Sequence, residues 1–291
     1  MRLKNPLVAA SGTAGLVHDA PEMLRLDAFA ACVTKTITPR PRPGNPAPRV
    51  AETPCGVVNS VGLENPGVEA FVAEHLGRLS APRRTWISAG GETAAEVIEV
   101  AERLSERRDA FAAVELNLSC PNTGRRVDAG DAEEVAEAVR GARAALGDKP
   151  LLVKLAPGDR ILKAAAAAME AGADALTIAN TYPALPIDWA TLKPVLGAVH
   201  GGLSGPAVRP LTMRLVAEVW RALGCDIVAS GGVTGGVDVL AYVACGACCV
   251  QIGAGNLVEP GCAERILKEI AAEMHRHGVQ RISELRGFAF E

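Results

Sequence analysis

A cysteine lies between two carboxamides in the segment Asn117-Leu118-Ser119-Cys120-Pro121-Asn122. The segment follows an apolar run, Phe111 to Leu116, that is typical of a buried strand. Pro121 prevents the backbone from continuing as strand or helix, so a loop is expected here. A cysteine at a strand end can act as a base or a nucleophile, and side-chain amides both donate and accept hydrogen bonds. The segment therefore predicts a site for a polar, amide-containing ligand.

Polar residues and glycines also follow the other apolar runs of the chain. These strand-end segments are Ser11-Gly12-Thr13, Lys35, Asn117 to Asn122, Lys154, Asn180-Thr181, Ser230-Gly231-Gly232 and Gly253-Ala254-Gly255. Each has a simpler interpretation by itself, since a lysine at a strand end is usually solvated and a glycine pair is usually a turn. Their repeated position favours one shared site, because the carboxyl ends of barrel strands meet at a single face.

The glycines after the last two predicted strands suggest that the ligand carries a phosphate. Glycine lets a phosphate approach backbone N–H groups closely, and we expect a helix N-terminus behind them. The segment Gly201 to Gly205 could add a third set of donors. Two lysines that we predict to be buried, together with asparagines, would suit an isoalloxazine. A lysine near its pyrimidine edge stabilises the anionic reduced flavin, whereas a neutral heterocycle such as adenine would not need that charge.

Short apolar runs alternate with helix-period stretches along the chain and predict the elements that position these residues. Thr93 with Glu96, and Asp131 with Glu134, are typical helix starts. The predicted strands are Leu7–Ala10, Ala31–Thr34, Thr85–Ala89, Ala113–Leu116, Leu151–Val153, Ala175–Ala179, Asp226–Ala229 and Cys248–Ile252. Eight strands in alternation with helices predict an α/β fold, a (β/α)8 TIM barrel. The rival is a doubly wound open sheet, which usually carries a GxGxxG turn that this sequence lacks.

Two long segments, residues 36–67 and 181–209, interrupt the alternation. The first contains a Pro/Arg-rich run from Pro39 to Pro46, which alone would also fit a polyproline linker. Long insertions after barrel strands lie on the catalytic face and often act as lids, which is the interpretation that we favour. Nothing indicates a second domain, so residues 1–291 are predicted to form a single domain.

Composition excludes several functions. The chain has 291 residues, is 49% hydrophobic and only 3% aromatic, so its core must be largely aliphatic. A net charge of −3 gives no case for binding nucleic acid or an anionic membrane. No apolar stretch is long enough to span a bilayer and no leader opens the chain, so a cytoplasmic protein is expected.

The eight cysteines are scattered and lie mostly in apolar runs. We predict that they are small core residues, with no metal site, because Cys245 and Cys248 have no second pair to complete one.

Several motifs resemble those of the dihydroorotate dehydrogenases, which are FMN-bearing barrels of pyrimidine biosynthesis. The similar segments are Leu3-Lys4-Asn5-Pro6 with Ala10-Ser11-Gly12, Gly44-Asn45-Pro46 to Glu52-Thr53-Pro54, Asn59-Ser60-Val61-Gly62-Leu63, Glu115 to Asn122, Ser230-Gly231-Gly232 and Ile282-Ser283-Glu284-Leu285-Arg286-Gly287. The resemblance covers nearly the whole chain. The loop Thr123 to Gly130 departs from the family, which is usually richer in glycine there.

The resemblance implies a role for each matching residue. Cys120 would remove the C5 proton of dihydroorotate while hydride passes from C6 to N5 of FMN, and a cysteine rather than a serine here points to the soluble class 1. The substrate would be bound by Lys35, Asn59, Ser60, Val61, Gly62, Leu63, Asn117, Asn122, Asn180 and Thr181. FMN would be bound by Ser11, Gly12, Lys35, Thr36, Asn117, Lys154, Ile178, Gly205, Gly231, Gly232, Gly253 and Ala254.

The segments Leu192 to Gly197 and His200 to Pro206 resemble the NAD-linked class 1B catalytic subunit. That class works with a second subunit that carries FAD and a [2Fe–2S] cluster, so a homodimer or a heterotetramer with such a subunit is expected. The alternatives that share the motifs are the fumarate-linked soluble class and a dihydropyrimidine-type dehydrogenase. A Schiff-base aldolase using Lys35 or Lys154, or a non-catalytic flavin- or phosphate-binding barrel, would belong to a different class.

Overall fold

A computed structural model describes residues 3–79, 81–118 and 131–290 of the chain. Its strands are β1 (Leu7–Ala9), β2 (Ala31–Val33), β3 (Val50–Thr53), β4 (Gly56–Asn59), β5 (Thr85–Gly90), β6 (Ala113–Asn117), β7 (Leu151–Leu155), β8 (Ala175–Ile178), β9 (Tyr182–Ala184), β10 (Ile187–Asp188), β11 (Lys193–Pro194), β12 (Gly201–Ser204), β13 (Ile227–Ser230) and β14 (Cys249–Ile252). Its α-helices are α1 (Val68–Ala70), which continues as a π-helical turn over Phe71–His75, α2 (Ala94–Ser105), α3 (Ala132–Leu146), α4 (Ile161–Glu170), α5 (Arg209–Leu223), α6 (Gly236–Ala244), α7 (Ala254–Val258) and α8 (Cys262–Arg276).

Eight of these strands close into a parallel barrel in the order β1-β14-β13-β8-β7-β6-β5-β2. All eight strands predicted from the apolar runs are present, and their ends differ from the prediction by at most two residues. The first strand pairs with the last, with Leu7 opposite Val250, so the sheet has no open edge. The (β/α)8 barrel is confirmed, and the doubly wound open sheet is wrong.

The helices begin where local side-chain chemistry favours it. The Thr93 side chain accepts a hydrogen bond from the N–H of Glu96 and caps α2, and Asp131 accepts from the N–H groups of Glu133 and Glu134 and caps α3. Each cap contributes about 1 kcal/mol to helix stability. Both predicted helix starts are confirmed.

The two insertions of the catalytic face pair with each other. The β3–β4 hairpin comes from the first insertion, and β9 and β12 come from the second; together they form a four-stranded antiparallel sheet in the order β3-β4-β12-β9. Gly202 of β12 lies opposite Asn59 of β4 and opposite Pro183 of β9. The polyproline-linker interpretation of the first insertion is therefore wrong. The segment Gly201 to Gly205, expected as a possible third set of donors, forms strand β12 over Gly201–Ser204.

Side chains inside the barrel form an apolar layer with a polar layer above it. The apolar layer includes Trp86, Leu152 and Cys249, all buried near the amino ends of their strands. Two residues further along the strands, the inward positions are Glu115, Lys154, Thr177 and Gln251, which are also buried. The polar layer therefore lies toward the carboxyl ends of the strands, where a barrel carries its chemistry.

The cysteines are divided between core and surface. Cys32, Cys249 and Cys262 are buried, and burial raises the pKa of the Cys32 and Cys262 thiols to about 11. Cys55 and Cys248 are exposed, so the prediction of core cysteines is wrong for these two.

Among the residues with described positions, no three His, Cys, Asp or Glu side chains are grouped in a way that could hold a metal ion. In the same part of the chain, no helix combines the length and apolar character needed to cross a membrane.

Candidate active site

A cavity of about 830 Å³ opens at the carboxyl face of the barrel. Its walls come from the segments that follow the barrel strands and from the sheet that the two insertions build. Its volume lies within the range of sites that bind cofactors and substrates. Of the predicted site residues, it brings together Ser11, Gly12, Lys35, Thr36, Asn59, Val61, Gly62, Leu63, Asn117, Lys154, Asn180, Thr181, Gly205, Gly231, Gly232, Gly253 and Ala254.

One wall of the cavity carries a chain of amides and hydroxyls. Asn180 Nδ2 donates to Asn117 Oδ1 at 3.2 Å, and Asn117 Nδ2 donates to Thr36 Oγ1 at 2.9 Å. The Thr36 hydroxyl lies 2.9 Å from that of Ser88, and Asn180 Oδ1 accepts from the N–H of Thr181 at 2.8 Å. These contacts fix the orientation of each amide, so the wall is preorganised to bind a ligand with alternating donors and acceptors.

Among the described residues that line the cavity, Lys154 is the buried cation, with only 6% of its surface exposed. Its Nζ donates to Gln251 Oε1 at 3.2 Å, and Gln251 Nε2 donates to Glu115 Oε2 at 2.5 Å. The same carboxylate oxygen accepts from Thr177 Oγ1 at 2.7 Å. A buried ammonium needs a counter-charge and hydrogen-bond partners, and Glu115 supplies the negative charge through Gln251.

Lys35 differs from Lys154 in its exposure. The backbone N–H of Lys35 donates to Gly15 O at 2.7 Å, which fixes the start of its side chain. The side chain is 30% exposed, and Nζ lies 3.8 Å from Glu64 Oε1. The prediction of two buried lysines is therefore wrong for Lys35, because the residue lies two positions beyond the end of β2, at the cavity mouth.

Two glycine turns face the opposite side of the cavity. A Cβ at Gly232, which has φ +68°, would lie 2.7 Å from Arg209 Cβ, and a Cβ at Gly255 would lie 2.7 Å from Val233 O. The turns are therefore packed too closely for larger residues, and they present backbone to the cavity. The helix behind them is already capped: Thr234 and Gly235 N–H donate to Asp238, and Gly236 N–H donates to Glu269. The expected helix N-termini are present, since α6 begins at Gly236 behind the first turn and α7 begins at Ala254 behind the second. The start of α7 has no side-chain cap, unlike that of α6.

The β4 strand and the residues after it form the third wall. Asn59 Nδ2 donates to Gly202 O at 3.2 Å, which joins the side chain to the insertion sheet. Val61, Gly62 and Leu63 line the cavity. Ser60 instead is buried and accepts from Asn45 Nδ2 at 2.9 Å, away from the cavity lining.

Among the described residues, two predicted site residues, Ser60 and Ile178, do not line the cavity. Ile178 belongs to the hydrophobic core, as expected for the last position of β8. Cys120 and Asn122, with the divergent loop Thr123 to Gly130, lie outside the described residues.

Sequence reasoning missed Glu115, Thr177, Gln251 and Glu64. A signal was present for two of them, because Glu115 and Gln251 interrupt apolar strand runs, where a charged or amide side chain must be hydrogen-bonded. Glu64 carried no such signal. Its role depends on a contact with Lys35, 29 positions earlier, that only the folded insertion creates.

Fold and cavity together define a (β/α)8 barrel whose carboxyl face opens into a cavity lined by amides, lysines and glycine turns. The family model described as dihydroorotate dehydrogenase matches residues 1–274. A relative from Pelobacter propionicus, a dihydroorotate dehydrogenase B (NAD(+)), catalytic subunit, is 40% identical and the match covers 99% of this chain and 95% of the relative. A relative of the same description from Desulforudis audaxviator is 41% identical, with the same coverage. The ligand-free dihydroorotate dehydrogenase of Eimeria tenella has the same fold, with a TM-score of 0.85 at 21% identity over 100% of this chain and 91% of that one.

The chain belongs to the dihydroorotate dehydrogenase family, and the resemblance found in its motifs is confirmed. Enzymes of this family are FMN-dependent oxidoreductases that convert dihydroorotate to orotate. The relatives that match over nearly the full length are catalytic subunits of the NAD-linked class.

Proposed function

We propose that this chain is the catalytic subunit of an NAD-linked, class 1B dihydroorotate dehydrogenase of pyrimidine biosynthesis. The observation that carries the proposal is the buried Lys154 ammonium, which lies in one cavity with the Asn117–Asn180 amide wall and the glycine turns. A pyrimidine ring with amides and a carboxylate needs such an amide wall and a cation, and a phosphate-bearing cofactor needs the turns.

The residues of the cavity fit FMN. The turns at Gly231-Gly232 and Gly253-Ala254, with Gly205 nearby, would bind the phosphate, because they line the cavity and close packing at Gly205, Gly231 and Gly232 leaves only backbone to approach there. Ser11, Gly12, Thr36 and Lys154 would contact the ring system. FMN, when bound, would supply the acceptor for hydride from the substrate.

Each protein group has a proposed task in the reaction. Asn59, Asn117, Asn180 and Thr181, with Asn122 and Lys35, would orient the substrate ring and its carboxylate. Lys154 would stabilise negative charge near the cofactor, since Glu115 and Gln251 hold its ammonium in place. Cys120 would remove the C5 proton, which requires a thiol whose pKa the site lowers.

Electrons would leave through a partner subunit carrying FAD and a [2Fe–2S] cluster, because this sequence has neither a dinucleotide fingerprint nor a cluster's cysteine set. A heterotetramer built on a homodimer of this chain is the proposed assembly. The β10–β11 hairpin supports an interface, because Ile187, Trp189 and Leu192 are exposed there, Trp189 to 86%.

We also propose that residues 1–291 form one domain, since the barrel runs from Leu7 to Ile252 and the tail packs against it. A cytoplasmic location is part of the same proposal. Its support is the pair of exposed thiols, Cys55 and Cys248, which a reducing compartment keeps free.

The decisive experiment is an anaerobic titration of the purified yellow protein with dihydroorotate. We expect the flavin absorbance to bleach in the wild type. The variant Cys120→Ala should keep its colour and lose this bleaching at neutral pH. A flavin band that persists in the wild type would contradict the proposed activity, and a fully active Cys120→Ala would contradict the base assignment. Reoxidation by NAD only with the partner subunit, rather than directly by fumarate, distinguishes the two soluble classes.

A further inference from the structure

A carboxylate lies inside a cavity that is proposed to bind an anion. Glu64 lines the cavity beside Lys35, with Oε1 at 3.8 Å from Lys35 Nζ. Its other oxygen accepts a hydrogen bond from Arg49 Nη1. Of the charged side chains that line the cavity in the described part of the chain, Lys35, Lys154 and Arg265 are cationic, and Glu52, Glu64 and Glu259 are anionic. Glu259 is paired with Arg265, and the carboxylate paired with Lys35 is that of Glu64.

The fold holds Glu64 in this position from both sides. Leu63 before it adopts a left-handed conformation with φ +54°. Asn65 after it is buried, donates to Thr38 Oγ1 at 2.7 Å and accepts from Gly67 N–H at 2.8 Å. The Glu64 side chain therefore starts from a fixed backbone and does not reach Lys35 by chance.

Arg49 fixes the far side of the carboxylate. Its Nε donates to Asn45 O at 2.6 Å and its Nη2 donates to Pro43 O at 2.9 Å, so the guanidinium is anchored to the first insertion. The hydrogen bond from Arg49, and then the charge of Lys35, lower the pKa of Glu64. At neutral pH the Lys35 ammonium thus has a resident anionic partner before any ligand arrives.

We propose that Glu64 is a specificity-determining residue that weakens the binding of carboxylates at Lys35. This inference rests on the proposed function, in which Lys35 receives the substrate carboxylate. An incoming anion must share Lys35 with Glu64 and meets its negative charge at close range. Arg49 opposes this effect, because it draws the Glu64 carboxylate toward the insertion and away from Lys35. The site thereby limits its affinity for carboxylated pyrimidines, and release of the carboxylated product becomes easier.

Two substitutions with opposite expected signs test the proposal. Glu64→Gln keeps the shape of the side chain and removes its charge, so the FMN-loaded protein should bind orotate about two- to fivefold more tightly, the range for a partly exposed ion pair. Arg49→Met leaves Glu64 with Lys35 as its cationic partner and should weaken orotate binding. Isothermal titration calorimetry measures both dissociation constants. Glu92→Gln, which removes a similar pair with Arg42 outside the cavity lining, is the matched control and should leave the dissociation constant unchanged.

Two further measurements separate charge from shape. Uracil has no carboxylate, so its affinity should be the same in the wild type and in Glu64→Gln. The gain for orotate should shrink when the ionic strength rises from about 0.01 M to about 1 M, because salt screens an interaction at the cavity mouth. If Glu64→Gln binds orotate no more tightly, or binds uracil more tightly by the same factor, or if both variants weaken orotate binding, the proposal is overturned. Wild-type protein that is not bleached by dihydroorotate would instead refute the proposed function.

Discussion

Single residues in the barrel interior connect stability with the site. Glu115 is fully buried, and its Oε2 accepts hydrogen bonds from both Gln251 and Thr177. Its other oxygen, Oε1, is buried with no partner among the described atoms. A carboxylate is kept in such a place only if a buried cation compensates it, and Lys154, one hydrogen bond beyond Gln251, is that cation.

Removing the Glu115 carboxylate should therefore lower the free energy of unfolding, by an amount that depends on the residue that replaces it. We expect Glu115→Ala to lower the free energy of unfolding by about 3–5 kcal/mol, because it leaves Lys154 uncompensated and Gln251 and Thr177 unpaired. Glu115→Gln retains the hydrogen-bond acceptor and should lose less. Urea unfolding measures both, with the exposed Glu99→Ala as a control that should stay within about 0.5 kcal/mol of the wild type. If Glu115→Ala and Glu99→Ala lowered the free energy of unfolding equally, the hydrogen-bond network around Glu115 would not contribute to stability.

The strand-end residues could be predicted from sequence, while their exact partners could not. Lys154 and Asn117 follow from the rule that barrel strands end at one face. That Ser60 turns to Asn45, and that Lys35 meets Glu64, depends on how the insertions fold back, which no local pattern encodes. The need for a buried partner at Glu115 could be predicted from sequence, because a charged side chain in an apolar strand must be hydrogen-bonded or paired.

At the scale of elements, local signals predicted the helices and long-range pairing decided the insertions. Caps such as Thr93 and Asp131 involve residues three or fewer positions away, so sequence alone suffices. The β3-β4-β12-β9 sheet joins segments about 140 positions apart; Asn59 Nδ2 bonds to Gly202 O across 143 residues. Its strands are only three or four residues long, so the sequence predicts insertions there but no strands.

Close packing in the insertion sheet explains the glycine at 202. A Cβ there would overlap the Thr181 hydroxyl, since β12 lies between β4 and β9. We expect Gly202→Ala to displace β12 or Thr181, to lower the free energy of unfolding by about 1–3 kcal/mol and to weaken orotate binding. Gly77→Ala, where no atom lies within 4 Å of the added Cβ, is the matched control for thermal unfolding and calorimetry. If Gly202→Ala and Gly77→Ala had the same stability and the same affinity for orotate, the close packing at Gly202 would contribute to neither.

At the scale of the whole molecule, barrel closure puts stability and chemistry at opposite ends. The count of apolar runs was enough to predict the barrel, because parallel strands buried on both faces read as continuous hydrophobic runs. The sequence of the carboxyl-terminal tail does not predict the tail's role, which depends on contacts with turns distant in the chain. Arg286 from this tail reaches the amino-terminal end of the barrel, where it bonds to Gly246 O, Asp226 and Cys225 O at 2.8–2.9 Å.

Through these three contacts, Arg286 connects the tail to the turns that precede β13 and β14. Arg286→Met removes all three while keeping most of the apolar stem, so we expect the free energy of unfolding to fall by about 1–3 kcal/mol. The cavity lies at the other end of the barrel, and orotate affinity should therefore stay unchanged. Arg281→Met is the matched control, since Arg281 is largely exposed and contacts Glu284 alone among the acidic side chains described; its loss should be within about 0.5 kcal/mol. For both variants, urea unfolding measures the free energy of unfolding and calorimetry measures the affinity for orotate. Equal stability in the two, or weaker orotate binding in Arg286→Met without loss of stability, would contradict this division between a stabilising end and a reactive end.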